Sequence, residues 1–177
     1  MIRRFRRPRQ RPPEMYWAEE LAPLQLALMP RPRGGDQLAA DVRHYADEGV
    51  VRILSLLEDA EISAFDLEAE ADLCAEHGIA FQRFPIPDHG TPADMEAYLD
   101  FVDAQVPTLV GLAPVAVHCM AGIGRSSLTA AALLMRSGRP VGQVFPPLAR
   151  ARGCSVPETT EQVLWFRDFA LRYAINR

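Results

Sequence analysis

Residues 50–57 read Val-Val-Arg-Ile-Leu-Ser-Leu-Leu, a nearly continuous apolar run. A strand with one wet face alternates apolar and polar residues, whereas a strand covered on both faces has no need to. The run therefore predicts a strand inside a parallel sheet, and parallel neighbours require long crossover connections, usually helices. The remaining chain supplies both. Residues 24–28, ending at Pro30, read as a short strand, 79–84 as another and 115–118 as a fourth.

Between these strands lie helical patterns. Asp36 is placed to cap a helix with Leu38, Val42 and Tyr45 on its apolar face, stopping at Gly49. A second helix is expected over 66–77, closed by Gly78. Thr91-Pro92-Ala93-Asp94 reads as a helix start, with a hydroxyl cap, proline at the first position and an acid in the first turn. Residues 58–63 read as an acidic loop, and 85–90 as a loop held extended by two prolines. The 126–137 segment is apolar around most of its circumference and is expected to be the central helix, ended by Gly138. Residues 141–152 read as helical, with a kink or break at Pro146-Pro147. A last helix from about Pro157 should bury Val163, Phe166, Ala170 and Tyr173. Strands alternating with helices predict an α/β domain with a small, mostly parallel central sheet flanked by helices.

Composition narrows the function classes. The chain has 177 residues, of which 49% are hydrophobic. That is enough for one domain whose core needs no disulfide or metal staple. No run of about 18 apolar residues occurs, so no membrane-spanning helix is expected. The cysteines Cys74, Cys119 and Cys154 cannot all pair within one chain and lack metal-ligand spacing. Free thiols in a cytoplasmic protein are expected, with no metal and no cofactor. All 19 basic residues are arginine, and six of them crowd the first eleven positions. Residues 1–13 are thus expected to be a disordered basic arm and 14–177 a single domain. No apolar segment follows the arginines, so export is not expected. The arm is available to an anionic partner or to the body of the chain, where 13 arginines in residues 12–177 face 23 acids; no nucleic-acid or membrane partner is expected.

One segment carries chemistry: Val117-His118-Cys119-Met120-Ala121-Gly122-Ile123-Gly124-Arg125-Ser126-Ser127. A cysteine ends a buried strand, and an arginine follows six positions later, where helix begins. Backbone amides of such a loop can converge into an anion cradle backed by the positive helix end. Gly122 and Gly124 permit a curled backbone. Arg125 can fork two N–H bonds onto two oxygens of one phosphate. Helix N-termini and neighbouring cations lower cysteine pKa values to roughly 3.5–7.5, so a thiolate at Cys119 is expected. A thiolate in a phosphate cradle suits in-line attack on phosphorus.

His-Cys, five residues, then Arg-Ser resembles the signature of the cysteine-based protein tyrosine phosphatases. The compact length and early acid loop are similar to the dual-specificity branch. The resemblance implies Cys119 as nucleophile, Arg125 and the 120–124 loop as phosphate ligands, and Ser126 as hydrogen-bond donor to the departing thiolate. It implies His118 as a residue that orients the loop. Ser127 departs from the pattern, which has glycine there. Pro85-Ile86-Pro87-Asp88-His89-Gly90-Thr91-Pro92 resembles the general-acid loop of the kinase-associated and Cdc14-like phosphatases, which implies Asp88 as the acid. Asp94 is a rival acid with a capping role, and His89 is expected to be a solvated loop histidine, with a second proton carrier as the alternative. Gln162 resembles a late residue that positions the hydrolytic water. Arg150 and Arg152 can support the loop or pair with acids such as Glu158, the pairing being the default expectation. Cys74 and Cys154 are expected to be structural, although a disulfide with Cys119 stays open.

The function expected is a metal-independent phosphomonoester hydrolase acting on phosphorylated proteins or peptides through a phosphocysteine. A phosphatase of phosphoinositides or other small phosphates is the first alternative, disfavoured by apolar Met120, Ala121 and Ile123. Sulfur transfer and a non-catalytic phosphate-binding module complete the alternatives.

Overall fold

Five strands and seven α-helices form the computed structural model, which describes residues 11–174. The strands are β1 (Tyr16–Trp17), β2 (Leu26–Pro30), β3 (Arg52–Ser55), β4 (Ala80–Arg83) and β5 (Val115–Cys119). They lie in the order β1-β2-β5-β3-β4. All neighbours are parallel except β1, which runs antiparallel to β2 along the edge. The sheet is thus the mostly parallel one that the apolar runs predict. The two-residue β1 lacks any periodicity and has no counterpart in the sequence reading.

β5 is central and fully buried, with His118 level with Met29 of β2 and Ser55 of β3. Side chains alternate across a strand. Val115, Val117 and Cys119 join one core, covered by α4 (Met95–Val110), α5 (Gly124–Arg136), α6 (Phe145–Arg152) and α7 (Thr160–Tyr173). Ala116 joins the other, under α1 (Leu38–Asp47), α2 (Asp59–Ala64) and α3 (Glu70–Glu76). His118 follows Ala116 in this alternation and faces the second core. All but one residue of α5 is buried, as its apolar circumference predicts.

Several boundaries differ from expectation, each for a local reason. Asp36 does not cap α1; it lies in a 3-10 turn over Gly35–Gln37 that leads into the helix. The expected acidic loop is instead α2, whose Glu58 and Glu61 form a reciprocal capping box. The expected 66–77 helix shortens to α3, since Asp66 adopts a left-handed φ of 52°. Thr91 is not the cap of α4. Asp94 is, its Oδ1 accepting from the amides of Glu96 and Ala97 at 3.0 Å. Pro146 and Pro147 fall in the first turn of α6, where no intrahelical N–H is needed, so they start the helix rather than break it. Thr159 caps α7, and Val163 is 48% exposed, because Gln162 and Phe169 take the inward face with Phe166 and Ala170. Of the basic arm, residues 1–10 lie outside the described residues.

Candidate active site

The chain leaves β5 at Cys119 and re-enters helix at Gly124. Between them, the carbonyls of the loop are tied from outside. Met120 O accepts from Arg31 N at 3.2 Å, Ala121 O from Arg152 Nη2 at 3.0 Å, and Gly122 O from Arg152 Nε at 2.8 Å. In a trans peptide the C=O and the following N–H point oppositely. Pinning these three carbonyls therefore aims the amides of Ala121, Gly122 and Ile123 to the other side. They add to the unpaired amides at the start of α5, which carry the helix's positive end. Gly122 has φ 71°, and a Cβ there would lie 2.5 Å from the backbone of Met29. Only glycine fits. Arg152, which also stacks over the Tyr16 ring at 3.9 Å, supports the loop instead of pairing with Glu158. Arg150 pairs with Glu20. The default expectation of pairing with an acid thus holds for Arg150, with Glu20 as the acid, and is overturned for Arg152.

Cys119 is 3% exposed, with Sγ 3.5 Å from Ser126 Oγ. Arg125 is equally enclosed, and both of its Nη atoms are held. Nη1 donates to Glu61 Oε2 at 2.8 Å and Ile86 O at 2.9 Å; Nη2 donates to Glu61 Oε1 and Asp88 Oδ1, both at 2.8 Å. Burial alone would lower the guanidinium's pKa, but the hydrogen bond to Glu61 and the charges of Cys119, Glu61 and Asp88 outweigh it, so the net shift is upward. For Glu61, burial pushes the carboxyl up, yet the Arg125 hydrogen bond, the Glu58 amide and the charges of Arg125 and His118 hold it below its ordinary value. Glu61 was missed in the sequence. Its capping-box spacing from Glu58 signals a helix start, but nothing local signals its bidentate grip on Arg125.

The 85–90 loop reaches the site because Ile86 is buried and its amide donates to Leu56 O at 3.1 Å. Asp88 is about half exposed. His89 stands beside it with φ 56°, Nε2 3.6 Å from Asp88 Oδ2 and Nδ1 3.5 Å from Glu158 Oε2. Gln162 is buried, which excludes its being a mere surface residue. Its Oε1 accepts from the amides of Glu158 and Thr159, and its Nε2 donates to Gly90 O at 3.0 Å, so α7 tethers the Asp88 loop. Asp94, committed to its cap, lies outside this cluster of contacts. Ser127, in place of glycine, donates its hydroxyl to Gly124 O at 3.0 Å within the first helical turn.

His118 is buried on the opposite sheet face. Its ring is not bonded to backbone: Nε2 lies 3.2 Å from Glu70 Oε1, a contact without hydrogen-bond alignment. Cys74 belongs to the second core and so stands across the sheet from Cys119, while Cys154 is exposed and has no structural packing role.

The model of a family described as a polymorphic toxin system DSP-PTPase phosphatase matches residues 27–139. The chain belongs to that phosphatase family. The matched span runs from β2 through α5 and includes Asp88, Cys119, Arg125 and Ser126; Gln162 and Arg152 lie beyond it. Cyclin-dependent kinase inhibitor 3 of Rattus norvegicus is 27% identical over 131 residues, covering 73% of this chain and 61% of the relative. The Homo sapiens protein of that name is 28% identical over 130 residues, covering 72% and 61%. The chain thus spans about three fifths of these relatives' length. Its fold matches kinase associated phosphatase, solved with its catalytic-site cysteine replaced by serine, at a TM-score of 0.77 with 22% identity, over 92% of this chain and 97% of that one. Tk-PTP in its active form matches at 0.68 with 25% identity, over 84% and 93%. The α/β architecture is that of the cysteine-dependent dual-specificity phosphatases.

Proposed function

We propose that this protein is a metal-independent, cofactor-independent phosphomonoester hydrolase of the tyrosine and dual-specificity class, acting on phosphorylated proteins or peptides through a phosphocysteine. One observation carries this reading: Asp88, far away in sequence, meets Arg125 at 2.8 Å, in the loop where Cys119 lies against Ser126. Nucleophile, phosphate anchor and acid are then neighbours, as two-step phosphoryl transfer requires.

In the first step the Cys119 thiolate attacks phosphorus in line. An Sγ–P bond forms, the bond to the leaving oxygen breaks, and Asp88 delivers its proton to that oxygen. Arg125 and the amides of residues 120–125 hold the equatorial oxygens, whose charge they match best in the transition state. In the second step Asp88, now ionised, takes a proton from water as the new P–O bond forms. The Sγ–P bond breaks, and Ser126 donates a hydrogen bond to the departing thiolate. Gln162 orients the water from the start of α7. His118 supports the strand end that carries the sulfur.

The loop side chains Met120, Ala121 and Ile123 add no positive charge, which favours a phosphoprotein over a polyanionic inositol phosphate. A free nucleophilic thiol fits a reducing, cytoplasmic setting. The basic arm of residues 1–13 precedes a single catalytic domain and offers charge to an anionic partner. The test is turnover of phosphotyrosine and phosphothreonine peptides beside phosphoinositides, with chelator and reductant present, and mass-spectrometric trapping of phosphocysteine on acid quench. Loss of turnover in Cys119→Ser supports the reading; wild-type turnover in that variant ends it.

A further inference from the structure

Behind the nucleophile, on the other face of the sheet, sits a buried acid that the proposed reaction does not use. Glu70, in the first turn of α3, is 2% exposed, and His118, the residue before Cys119, is fully buried. Their Nε2 and Oε1 atoms are 3.2 Å apart. Among the described residues neither ring nitrogen of His118 nor Glu70 Oε1 has an aligned hydrogen-bond partner. Ser55 Oγ, on the residue paired with His118 across β3, and the Tyr45 hydroxyl are likewise buried without one.

A carboxylate this deep is strongly disfavoured unless a counter-charge or donor meets it. The other acids near this layer are already committed. Asp41 of α1 is gripped by Arg33, and Glu61 of α2 by Arg125. Tyr45 and Cys74 both face the Glu70 charge, and burial, reinforced by that charge, pushes the Cys74 thiol up to about 12. Neither relieves it at neutral pH. The group at ion-pair distance is His118.

We infer that Glu70 is a positioning residue of the phosphatase reaction, holding the His118 ring as its ion-pair partner at the strand end that presents Cys119. This rests on the reading of Cys119 as nucleophile. The pair puts its positive end on the residue adjoining the sulfur and its negative end out on α3, an orientation that favours a thiolate. Ring direction is set by the partner of one nitrogen, and a carboxylate is the usual partner for that purpose. Arg125 acts on the phosphate side of the loop, whereas Glu70 acts from beneath it.

Glu70→Gln keeps the shape and removes the charge. Alkylation of Cys119 by iodoacetamide at pH 6 is expected to slow about tenfold in this variant, and the acid limb of kcat/KM to move about one unit toward higher pH, with KM on the plateau unchanged. In a His118→Asn background the same substitution should add nothing further. An unmoved acid limb with an unchanged alkylation rate overturns the proposal. Should Glu70→Gln fail to fold, imidazole nitrogen NMR of the wild-type chain decides. Two protonated ring nitrogens on His118 at pH 7 support the pair, and a neutral ring overturns it. The alkylation and NMR readouts do not need turnover, so persistent activity in Cys119→Ser would defeat the nucleophile assignment while leaving the His118 result to be read separately.

Discussion

Asp88 Oδ1 accepts a 2.8 Å hydrogen bond from Arg125 Nη2, so the proposed proton donor and the proposed phosphate anchor are each other's ion-pair partner. In the proposed reaction substrate phosphate claims the same guanidinium edge. Binding therefore has to displace the carboxylate from Arg125 toward the leaving oxygen, which is where an acid is needed.

Asp88→Asn separates the two roles. Its kcat is expected to fall by about 10²–10⁴, the usual contribution of a positioned acid. Inorganic phosphate should inhibit the variant slightly better, by at most about fivefold, because a half-exposed ion pair contributes little. Steady-state kinetics with phosphate inhibition checks both, and an unchanged kcat removes Asp88 from the mechanism.

Glu61 links activity to acid stability. Its folded-state pKa lies below the unfolded value, so its stabilisation is full above about pH 4.3, the unfolded carboxylate range, and is lost as pH falls through the folded value. Glu61→Gln is expected to cost about 1–3 kcal/mol at pH 7. The difference from wild type should shrink below about pH 4. Urea midpoints at pH 7 and pH 3.5 measure this. A loosened Arg125 should also lower kcat/KM by about tenfold.

The two glycines of the loop are expected to differ. Gly122→Ala combines a left-handed φ with backbone atoms of Met29 at 2.5 Å, and should reduce kcat/KM by more than about 100-fold while costing about 1–3 kcal/mol or more. At Gly124 the atoms met by a Cβ, at 2.9–3.0 Å, are side-chain ends of Gln162 and Glu158 and not main chain, so accommodation disturbs the Gln162 bonds without moving backbone. Gly124→Ala should be the milder change. Vanadate titration with thermal unfolding of both variants compares them, and equal losses would contradict the assigned geometry.

Gln162→Ala removes a reciprocal cap and the tether to Gly90 O. A stability loss of about 1 kcal/mol is expected from the cap. Slowed hydrolysis of phosphocysteine should appear as a burst of released alcohol before the steady state. Rapid-quench kinetics reads the burst, and its absence with a normal kcat would leave Gln162 a purely structural residue.

The parts of this site readable in the chain were those that neighbours in sequence build. Cys119, its loop and Arg125 occupy one strand end and one helix start, so spacing alone places them together. α5 announced its central position by being apolar nearly all round. Misreadings came where two local signals competed: Thr91-Pro92 against Asp94 at the start of α4, and paired prolines that open α6 instead of breaking it.

The amino-acid order by itself determined the mostly parallel sheet and the cysteine–arginine loop, because periodicity and glycine placement act over a few residues, whereas Asp88 was pointed to by the resemblance of its loop and not by a local pattern. Only the tertiary structure decided that Glu61, 64 positions from Arg125, clamps it, that Arg152 pins the loop carbonyls, and that Glu70 lies under His118. Those partners come together through sheet order and helix packing. A charge finds its counter-charge in space, and no local pattern in the chain records the distance between them.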